Sequence, residues 1–453
     1  METVLAKIVA DKRKWIAARK TQQPLDSFFE TLTPSDRDFL KALSSPNSAF
    51  ILECKKASPS KGLIREDFDL DYIASVYRHH ANAISVLTDE KYFQGNFDFL
   101  PQVRRQVTQP ILCKDFMVDP YQVYLARHYQ ADAILLMLSV LDDEDYQQLA
   151  KVAKSLSMGI LTEVSTEEEL ERAIQLGAEV VGINNRNLRD LSIDLARTKA
   201  LAPRLPEGTI IISESGIYTH QQIKELRQYA NGFLIGSSLM ADDNLELAVR
   251  RVLLGENKVC GLTRAQDSLA AYQAGAVFGG LIFAPASPRC ITTAQAKSVM
   301  AAAPLRYVGV FQNQPLNNVA ETAKQLKLTA VQLHGDEDEA YIQLLRQQLA
   351  SNCEIWKAYG VDQQEPQRLN HVDRHLLDSR IGTQTGGTGQ SFDWHLIEDF
   401  QHVMLAGGIG PENAKQAAQL GAIGLDINSA VESAPGIKDN DKLAATFAAI
   451  KQF

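Results

Sequence analysis

The chain has 453 residues, which is too many for one ordinary hydrophobic core, so two or three domains are expected. Hydrophobic residues make up 45% and charged residues 22% of the chain, and this balance excludes a disordered or fibrous protein. The net charge of -9 opposes nucleic acid or an anionic membrane as a main partner, because the overall field would attract neither. Any bound anion must therefore be held by local groups.

The N-terminal residues 1–20 show an amphipathic helical pattern that mixes acidic and basic side chains. They contain no continuous apolar run long enough for a signal peptide or a membrane span. The five cysteines are scattered and odd in number, with no Cys-x-x-Cys pair, which is typical of a reducing compartment. We therefore expect a cytoplasmic protein without a membrane partner.

Short apolar or β-branched runs recur along the chain, and segments of helical period lie between them. Strands this apolar, joined by helices, should be parallel and covered on both faces. Eight such runs precede residue 256, at 49–58, 83–90, 110–118, 131–140, 159–165, 180–187, 209–216 and 232–240.

The count then restarts, which indicates a second domain of the same kind. Eight strand and helix units close into a (β/α)8 barrel of roughly 200 to 250 residues. The sequence therefore predicts an α/β protein of two tandem (β/α)8 TIM barrels, with domains at 1–255 and 256–453. The second set of runs lies at 257–263, 278–289, 306–313, 329–335, 354–360, 375–379, 402–409 and 424–432.

A pair of open doubly wound sheets is the alternative fold. Such sheets usually carry a Gly-x-Gly-x-x-Gly turn after the first strand, and neither first strand here has one. Roughly the first 45 residues precede the first strand, so the first barrel should carry an N-terminal helical extension. This extension either pads the barrel or forms a lid over the substrate.

Charged residues stand at the ends of several first-barrel strands, where a core would favour leucine. In the run 49–58, Glu53 and Lys55 share one face by the period-two rule and reach the mouth, the end at which the strands finish. The active site of such a barrel lies at its mouth. Any one charge could belong to a structural ion pair, but charges on matching strand ends favour a site. The other candidates are Lys114, Glu163, Asn184, Glu214 and Ser215.

Alternating lysines and glutamates have two possible effects at such a mouth. They can lower a lysine pKa and raise a glutamate pKa, or they can fix the positions of the side chains. Either arrangement suits general acid and base catalysis on a small substrate.

Small residues follow strands seven and eight of both barrels, in SESGI, IGSSLM, AGGIGPEN and INSAVES. They expose backbone N–H groups where helices begin, a geometry that binds phosphate without a basic patch. A tight turn would explain one such motif, but the repetition in both barrels predicts one phosphorylated ligand in each. The candidate phosphate-binding residues are Gly216, Gly236, Ser237, Gly407, Gly408, Asn428 and Ser429.

The second barrel begins with a strand that ends at Cys260, a residue that taken alone is readily explained as an inert buried thiol. Asp378 closes the sixth strand, roughly across the mouth, and Arg289 follows the second strand. A thiolate base, a carboxylic acid and a guanidinium can move a proton between neighbouring carbons of a sugar phosphate. His334, at the fourth strand end, is either a further polar group of the site or a structural histidine. We interpret residues 382–394 as a mobile loop that closes over substrate, not as a flexible linker.

Long motifs in the same order connect this chain to two known families. Residues 1–255 resemble indole-3-glycerol phosphate synthase in ECKKASPSKG, SVLTDEKYFQG, ILCKDF, LTEVS, INNRNL, SESGI and GFLIGSSLM. Residues 256–453 resemble phosphoribosylanthranilate isomerase in KVCGLTR, SPRC, VQLHG, GGTGQSFDW, LAGGI and DINSAVE. The whole is similar to the fused bifunctional enzymes of tryptophan biosynthesis in enteric-type bacteria.

The resemblance implies a function for the second barrel. It would open the ribose ring of N-(5'-phosphoribosyl)anthranilate and perform an Amadori rearrangement to carboxyphenylamino-deoxyribulose phosphate. By the same resemblance, Asp378 is the general acid on the ring oxygen and Cys260 is the general base at the neighbouring carbon. Arg289 would orient the anthranilate, and His334 would contact the substrate.

The resemblance also implies that the first barrel closes the indole ring of this product with loss of carbon dioxide and water. Lys114 matches the general acid of ring closure, and Glu163 matches the acid or base of the dehydration. Lys55 could also protonate an oxygen, so the order of the two lysines stays open. The remaining matches are the positioning residues Glu53, Lys55, Asn184, Glu214 and Ser215, and the substrate-binding residues Ser58 and Arg186.

Both reactions are proton transfers with electrostatic positioning, so we expect no cofactor. We also expect no metal, because the nine histidines lack carboxylate or cysteine companions. The expected partners are phosphorylated small molecules, and the chain is expected to be a monomer.

Two alternative functions remain at this point. Another sugar-phosphate isomerase or epimerase would place paired aspartates or metal ligands where Lys114, Glu163 and Cys260 stand. A non-catalytic sensor of phosphorylated metabolites would not need matched acids and bases at both mouths.

Overall fold

The structure is a computed structural model that describes residues 4–187, 191–381, 384–385 and 391–452. The chain folds as two compact units. One comprises Met1–Tyr218 with Glu225–Ala248, and the other comprises Thr219–Lys224 with Val249–Phe453. No helix among the described residues is both long enough and apolar enough to cross a lipid bilayer.

The first unit contains a closed barrel of eight parallel strands, as predicted. Each strand pairs with its neighbours in the chain, and the last pairs with the first. The strands are β1 (Ala49–Cys54), β2 (Ala83–Leu87), β3 (Ile111–Lys114), β4 (Ala133–Met137), β5 (Gly159–Val164), β6 (Val180–Asn184), β7 (Ile210–Glu214) and β8 (Gly232–Ile235).

Helices precede, separate and follow these strands. Several begin at an aspartate or threonine whose side chain accepts a backbone N–H bond, for example Asp142 from Asp145 and Thr166 from Glu169. The helices are α1 (Val4–Gln22), α2 (Phe39–Leu43), α3 (Leu70–Tyr77), α4 (Glu90–Phe93), α5 (Phe99–Gln106), α6 (Pro120–His128), α7 (Asp143–Ser155), α8 (Glu167–Gln175), α9 (Ala196–Leu201), α10 (His220–Leu226), α11 (Ser237–Met240) and α12 (Leu245–Leu254).

Helix α2 of the N-terminal extension packs against the end of the barrel where the strands begin. Phe39 and Leu43 are buried in the same apolar cluster as Ile51, Leu112 and Leu161. Full burial of a side chain such as Phe39 contributes roughly 2–3 kcal/mol. This part of the extension therefore pads the barrel, one of the two roles predicted for it.

The second unit contains another ring of eight parallel strands, which the pairing of β13 with β14 closes. This arrangement confirms the prediction of tandem barrels. The strands are β9 (Lys258–Val259), β10 (Phe278–Ile282), β11 (Arg306–Phe311), β12 (Ala330–Leu333), β13 (Glu354–Val361), β14 (Arg374–Ile381), β15 (Val403–Leu405) and β16 (Gly424–Ile427).

The helices of the second barrel are less regular than predicted. Residues 362–373, between β13 and β14, form no helix, because this polar segment with a central proline has no apolar face of helical period. Among the described residues between β14 and β15, the only helix is a short 3-10 helix, Trp394–Leu396, and Gln384–Thr385 pairs antiparallel with the end of β14. The α-helices are α13 (Ala265–Ala274), α14 (Thr293–Ala301), α15 (Leu316–Leu326), α16 (Glu339–Gln348), α17 (Ala414–Gln419) and α18 (Asn440–Ile450).

Most observed strands are shorter than the predicted runs, whereas β13 and β14 are longer, and the differences affect the mouths. Within 232–240, only Gly232–Ile235 is a strand, because Gly236 is already the N-cap of α11. Strand β9 ends at Val259, so Cys260 directly follows it, although the Cys260 N–H still bonds to the Ile427 carbonyl at 2.8 Å. At these two strands the chain therefore leaves the sheet just before the candidate residues Gly236 and Cys260, whereas Asp378 lies within β14.

Candidate active sites

The mouth of the first barrel holds one cavity that collects the residues predicted from its separate strands. Glu214 reaches the same place, since its Oε2 lies 3.0 Å from Nζ of Lys114. The predicted residues that line the cavity are Glu53, Lys55, Ser58, Lys114, Glu163, Asn184, Arg186, Ser215, Gly216, Gly236 and Ser237.

Lys114, the last residue of β3, stands between two carboxylates. Its Nζ lies 3.2 Å from Glu53 Oε2 and 3.0 Å from Glu214 Oε2. Burial by itself would lower the pKa of Lys114, but Glu214 and Glu53 outweigh it and raise that pKa above its ordinary value. The lysine therefore stays an ammonium group and keeps a proton to donate, so a lowered lysine pKa does not apply here.

Glu53 bridges the two lysines of this mouth. Its Oε1 lies 2.6 Å from Nζ of Lys55, while Oε2 faces Lys114. Burial would raise the pKa of Glu53, but the charges of Lys114 and Lys55 lower it to about 2. Glu53 is therefore a permanent anion that holds both ammonium groups in place.

Glu163 behaves in the opposite way. Burial and the negative charge of Glu214 raise the pKa of Glu163 to about 8. Asn184 donates a hydrogen bond from Nδ2 to Glu163 Oε1 at 3.1 Å and orients the carboxyl group. Near neutral pH this group carries a proton, whereas Glu53 does not, so the mouth contains a carboxylic acid and a carboxylate together.

Helix α1 of the extension forms a wall of this cavity. Its residues Leu5 and Ile8 line the cavity beside Lys114. Lys12, one turn after Ile8, is buried and lies 2.6 Å from Asp89 and 2.7 Å from Asp115. The extension therefore has both predicted kinds of contact, since α2 pads one end of the barrel and α1 covers part of the cavity.

The turns after β7 and β8 require small residues. Ser215 and Gly216 have φ angles of 66° and 82°, a left-handed conformation that glycine adopts most easily. A Cβ atom at Gly236 would lie 2.6 Å from Glu53 Oε1, so a larger residue there would displace this carboxylate. These turns leave backbone close to the charged groups of the mouth.

At the second mouth, Cys260 and Asp378 are both buried and both lie near one ion pair. Lys258 Nζ lies 3.0 Å from Asp426 Oδ2. Burial raises the pKa of Cys260 and the positive charge of Lys258 opposes this, while burial and the charge of Asp426 raise the pKa of Asp378 to about 7. The two predicted catalytic groups thus interact with the same pair.

Arg289 is held by a carboxylate. Its Nε and Nη2 atoms donate to Glu432 at 2.9 Å and 2.7 Å, and Lys438 contacts the same carboxylate at 2.9 Å. Lys438 also donates to Asn428 Oδ1 at 2.9 Å. This network orients the Arg289 guanidinium beside the turn that follows β16.

The remaining predicted residues of the second barrel lie at the expected strand ends. His334 directly follows β12, and its Nδ1 lies 3.2 Å from Nε2 of Gln332. Gly407 and Gly408 have φ angles of 92° and 61°, and Asn428 precedes a short 3-10 helix that begins at Ser429. Of the predicted loop 382–394, residues 382–383 and 386–390 lie outside the described residues.

The acidic residues of both mouths pair mainly with lysines and arginines. Among the described residues, no group of three or more histidine, cysteine, aspartate or glutamate side chains could hold a metal ion.

Comparison with known proteins covers both barrels. Residues 5–252 match the family described as indole-3-glycerol phosphate synthase, and residues 257–449 match N-(5'phosphoribosyl)anthranilate (PRA) isomerase. The "Tryptophan biosynthesis protein TrpCF" of Vibrio cholerae is 65% identical over 454 residues, which span 100% of this chain and 97% of that protein. The protein of the same name from Salmonella typhi is 61% identical over 456 residues, with 100% of both chains covered. The chain belongs to the TrpCF family.

A solved phosphoribosyl anthranilate isomerase from Thermus thermophilus is 32% identical to part of this TrpCF chain. The match covers 43% of this chain and 98% of the other, with a TM-score of 0.39.

Membership of the TrpCF family establishes two activities. The N-terminal domain is an indole-3-glycerol phosphate synthase, a decarboxylating lyase, and the C-terminal domain is a phosphoribosylanthranilate isomerase. Both act on phosphorylated small molecules. The alternatives of another sugar-phosphate isomerase or a non-catalytic sensor are not favoured.

Several residues that shape the two mouths of this TrpCF chain were not predicted. Asp115 directly follows Lys114, and Lys258 lies two residues before Cys260 on the same strand face, so proximity in sequence could have indicated both. Glu432 belongs to the motif DINSAVE but was not among the predicted site residues. Lys12 offered no signal of this kind, because its partners lie in a different part of the chain.

Proposed function

We propose that Cys260 and Asp378 catalyse the isomerisation in the second barrel. Asp378 gives a proton to the ribose ring oxygen as the ring opens, and Cys260 removes the proton from the neighbouring carbon. Arg289, held by Glu432, orients the anthranilate, and His334 contacts the substrate. The supporting observation is that Cys260 and Asp378 interact with one buried ion pair, although they come from separate strands.

We further propose that Lys114 is the general acid of ring closure in the first barrel. Two anions raise its pKa and hold its ammonium group at the cavity wall. Glu53 and Glu214 position Lys114, and Lys55 contributes a second positive charge through Glu53. The observation that carries this assignment is the position of Lys114 between the two carboxylates.

Phosphate groups are assigned to the turns after strands seven and eight of each barrel. In the first barrel these turns lie at Ser215 and at Gly236, and both line the cavity that contains Lys114. Backbone N–H groups at such turns bind phosphate without a basic side chain. The full set proposed is Gly216, Gly236, Ser237, Gly407, Gly408, Asn428 and Ser429. Ser58 and Arg186, which line the first cavity, are assigned to the rest of the substrate.

Glu163 is assigned to the dehydration as a general acid, because its pKa of about 8 keeps it protonated near neutral pH. The acid form is lost as the pH rises through about 8, so the kcat of ring closure should fall there. Glu163→Gln keeps the shape of the protonated carboxyl but cannot release a proton. This variant should lose roughly 10²- to 10⁴-fold in kcat. The measurement is kcat of ring closure between pH 6 and 10.

Isomerisation by the same Glu163→Gln protein serves as the control and should keep the wild-type rate. If Lys114 or another group causes the fall in kcat of ring closure at high pH, that fall should persist in this variant. A fall that is due to Glu163 should disappear. A rate of ring closure that instead rises through pH 8 in the unaltered enzyme would show that Glu163 acts as a base.

The boundary between the two activities is proposed at residues 255 and 256, between the two matched families. Each side of it contains a complete ring of eight strands. Fragments 1–255 and 256–453 should therefore each fold and keep one activity, measured with separate substrates. If neither fragment is soluble and active, the boundary is misplaced, and a cut at 248 would follow from the assignment of Val249–Phe453 to the second unit.

We propose that the chain acts as a monomer in the cytoplasm. Each mouth contains its own acid and base groups from one chain, so neither site needs a second copy. All five cysteines are free thiols, which is in line with a reducing compartment.

A further inference from the structure

A buried ion pair next to Cys260 and Asp378 has no role in the chemistry proposed above. Lys258 lies two residues before Cys260 and points to the same side of the strand, with 0% of its surface exposed. Its Nζ lies 3.0 Å from Asp426 Oδ2 and 2.7 Å from Gln332 Oε1. Together with Gln332, the pair therefore connects the three strands β9, β12 and β16 inside the barrel.

Lys258 and Cys260 are direct neighbours. A Cβ atom at Gly280 of β10 would lie 2.6 Å from Cys260 Sγ and 2.9 Å from Lys258 Cε, so both side chains occupy the space over this one glycine. The positive charge of Lys258 therefore acts at close range on the Cys260 sulfur and opposes the rise of its pKa. Only a residue without a side chain at 280 allows this contact.

Stability gives little reason to keep such a pair. Taking two charges out of water costs about as much as their attraction returns, so apolar residues would often be as stable. Asp426 is also not fully satisfied, because its Oδ1 makes no hydrogen bond with any described residue. The pair therefore calls for an explanation in the reaction.

The reaction itself presents a difficulty that this pair addresses. The base Cys260 must lose its proton while the acid Asp378 keeps its own, yet a carboxyl group is ordinarily the stronger acid by several pKa units. Burial raises the pKa of both groups. The strand registers place Asp426 at the same level of the barrel as Asp378, with one strand between them. Beyond burial, Lys258 is the largest influence that lowers the pKa of Cys260, and Asp426 is the largest that raises the pKa of Asp378.

We propose that Lys258 and Asp426 are positioning residues of the isomerase: Lys258 favours the thiolate of Cys260 while Asp426 keeps the proton on Asp378. This inference rests on the proposed function, which assigns Cys260 as base and Asp378 as acid.

Other charged groups also face these residues. Asp426 opposes Lys258 at this site, because its charge raises the pKa of Cys260. Lys438 lowers that pKa, and Arg289 lies near the same sulfur. Both are bound to Glu432, which offsets part of their charge. On the other side, Asp378 accepts a hydrogen bond from the Ser379 N–H at 2.8 Å, which lowers its pKa, as does the charge of Lys258. Lys258 and Asp426 are therefore the pair that acts on both groups.

The test is the pH profile of kcat/KM for isomerisation. Because Asp378 has a pKa of about 7 and that of Cys260 lies above the ordinary thiol value, the active protonation state is a minor fraction, on the order of 1% or less. The profile should be a plateau whose acid limb reports Asp378 and whose alkaline limb reports Cys260. Lys258→Met should move the alkaline limb to higher pH, and Asp426→Asn should move the acid limb to lower pH. Each residue also shifts the pKa of the other group in the same direction, so the plateau should fall roughly tenfold for every pH unit by which the two limbs move apart.

Three further variants separate this role from a loss of folding. Lys258→Arg keeps the charge and should keep the alkaline limb. The paired change of Lys258→Met with Asp426→Leu leaves no unpaired charge, so it should fold and still lose tenfold or more of the plateau. Lys357→Met breaks another buried pair of the same barrel, with Glu337 at 3.3 Å, and should leave both limbs in place.

An unchanged profile in Lys258→Met or in Asp426→Asn overturns the assignment of that residue, and a wild-type plateau in the paired variant overturns both. Limbs that move as far in Lys357→Met would show a general effect of lost stability instead.

Cys260→Ala separates this inference from the proposed function. If Cys260→Ala still isomerises, the proposed function fails, whereas an inactive Cys260→Ala with unchanged Lys258 and Asp426 profiles removes only the inference.

Discussion

Lys114→Ala is expected to lower the kcat of ring closure by roughly 10³-fold or more, while isomerisation of phosphoribosylanthranilate continues at the wild-type rate. The variant loses the ammonium proton that we assign to general acid catalysis. It also removes the cation that lies between Glu53 and Glu214. Nζ of Lys114 lies 3.2 Å from Glu53 Oε2 and 3.0 Å from Glu214 Oε2. Both activities are measured on the same purified variant, each with its own substrate.

Two matched variants make this test more specific. Lys114→Arg keeps the positive charge between the carboxylates, but a guanidinium is a much weaker acid, so the protein should fold and ring closure should stay low. Lys55→Ala removes the other lysine, which pairs with Glu53 at 2.6 Å, and should cost less activity. If Lys55→Ala instead equals Lys114→Ala in its loss of kcat, the order of the two lysines must be reversed.

Cys260→Ala should have the complementary effect, with isomerisation lowered by roughly 10³-fold or more and ring closure unchanged. Alanine removes the sulfur that takes the proton but fits the space that the side chain of Cys260 occupies beside Gly280. Cys260→Ser is the matched control for volume, and it should also be inactive because a serine hydroxyl is a far weaker acid than a thiol. Isomerisation is followed with phosphoribosylanthranilate, and ring closure with the rearranged product.

Mixing the two inactive proteins gives a direct check on the independence of the sites. Lys114→Ala retains an intact second mouth and Cys260→Ala retains an intact first mouth. Together they should convert phosphoribosylanthranilate to indole-3-glycerol phosphate, although neither does so alone. Loss of both activities in either folded variant, or no conversion by the mixture, would contradict two independent sites.

Much of the fold follows from local patterns in the chain. Apolar runs of strand length and helical segments between them predicted both rings of eight strands, because burial on both faces requires apolar residues in succession. The same logic indicated the site residues of the first mouth, since Glu53 and Lys114 interrupt runs that would otherwise be apolar. The absence of a helix over 362–373 was not predicted, because the repeat of the pattern suggested a regularity that this segment does not follow.

The contacts that organise the mouths could not be predicted in this way. Lys12 pairs with Asp89 and Asp115, and Lys258 pairs with Asp426, 168 residues further along the chain. No periodicity connects residues at such separations, because their meeting depends on how the ring closes. The role of Glu432 in holding Arg289 is of the same kind.

The sequence by itself determined which ionisable groups stand at the strand ends, because side-chain direction alternates along a strand and parallel strands finish on one side of a barrel. Only the tertiary structure decided which of them hold a proton. Lys114 and Glu53 keep their charges because each lies within about 3 Å of an opposite charge, whereas Glu163 and Asp378 are buried next to like charges and stay protonated to about pH 8 and about pH 7. Such preferences depend on burial and on distances of a few ångströms, and these distances exist only once both rings have closed.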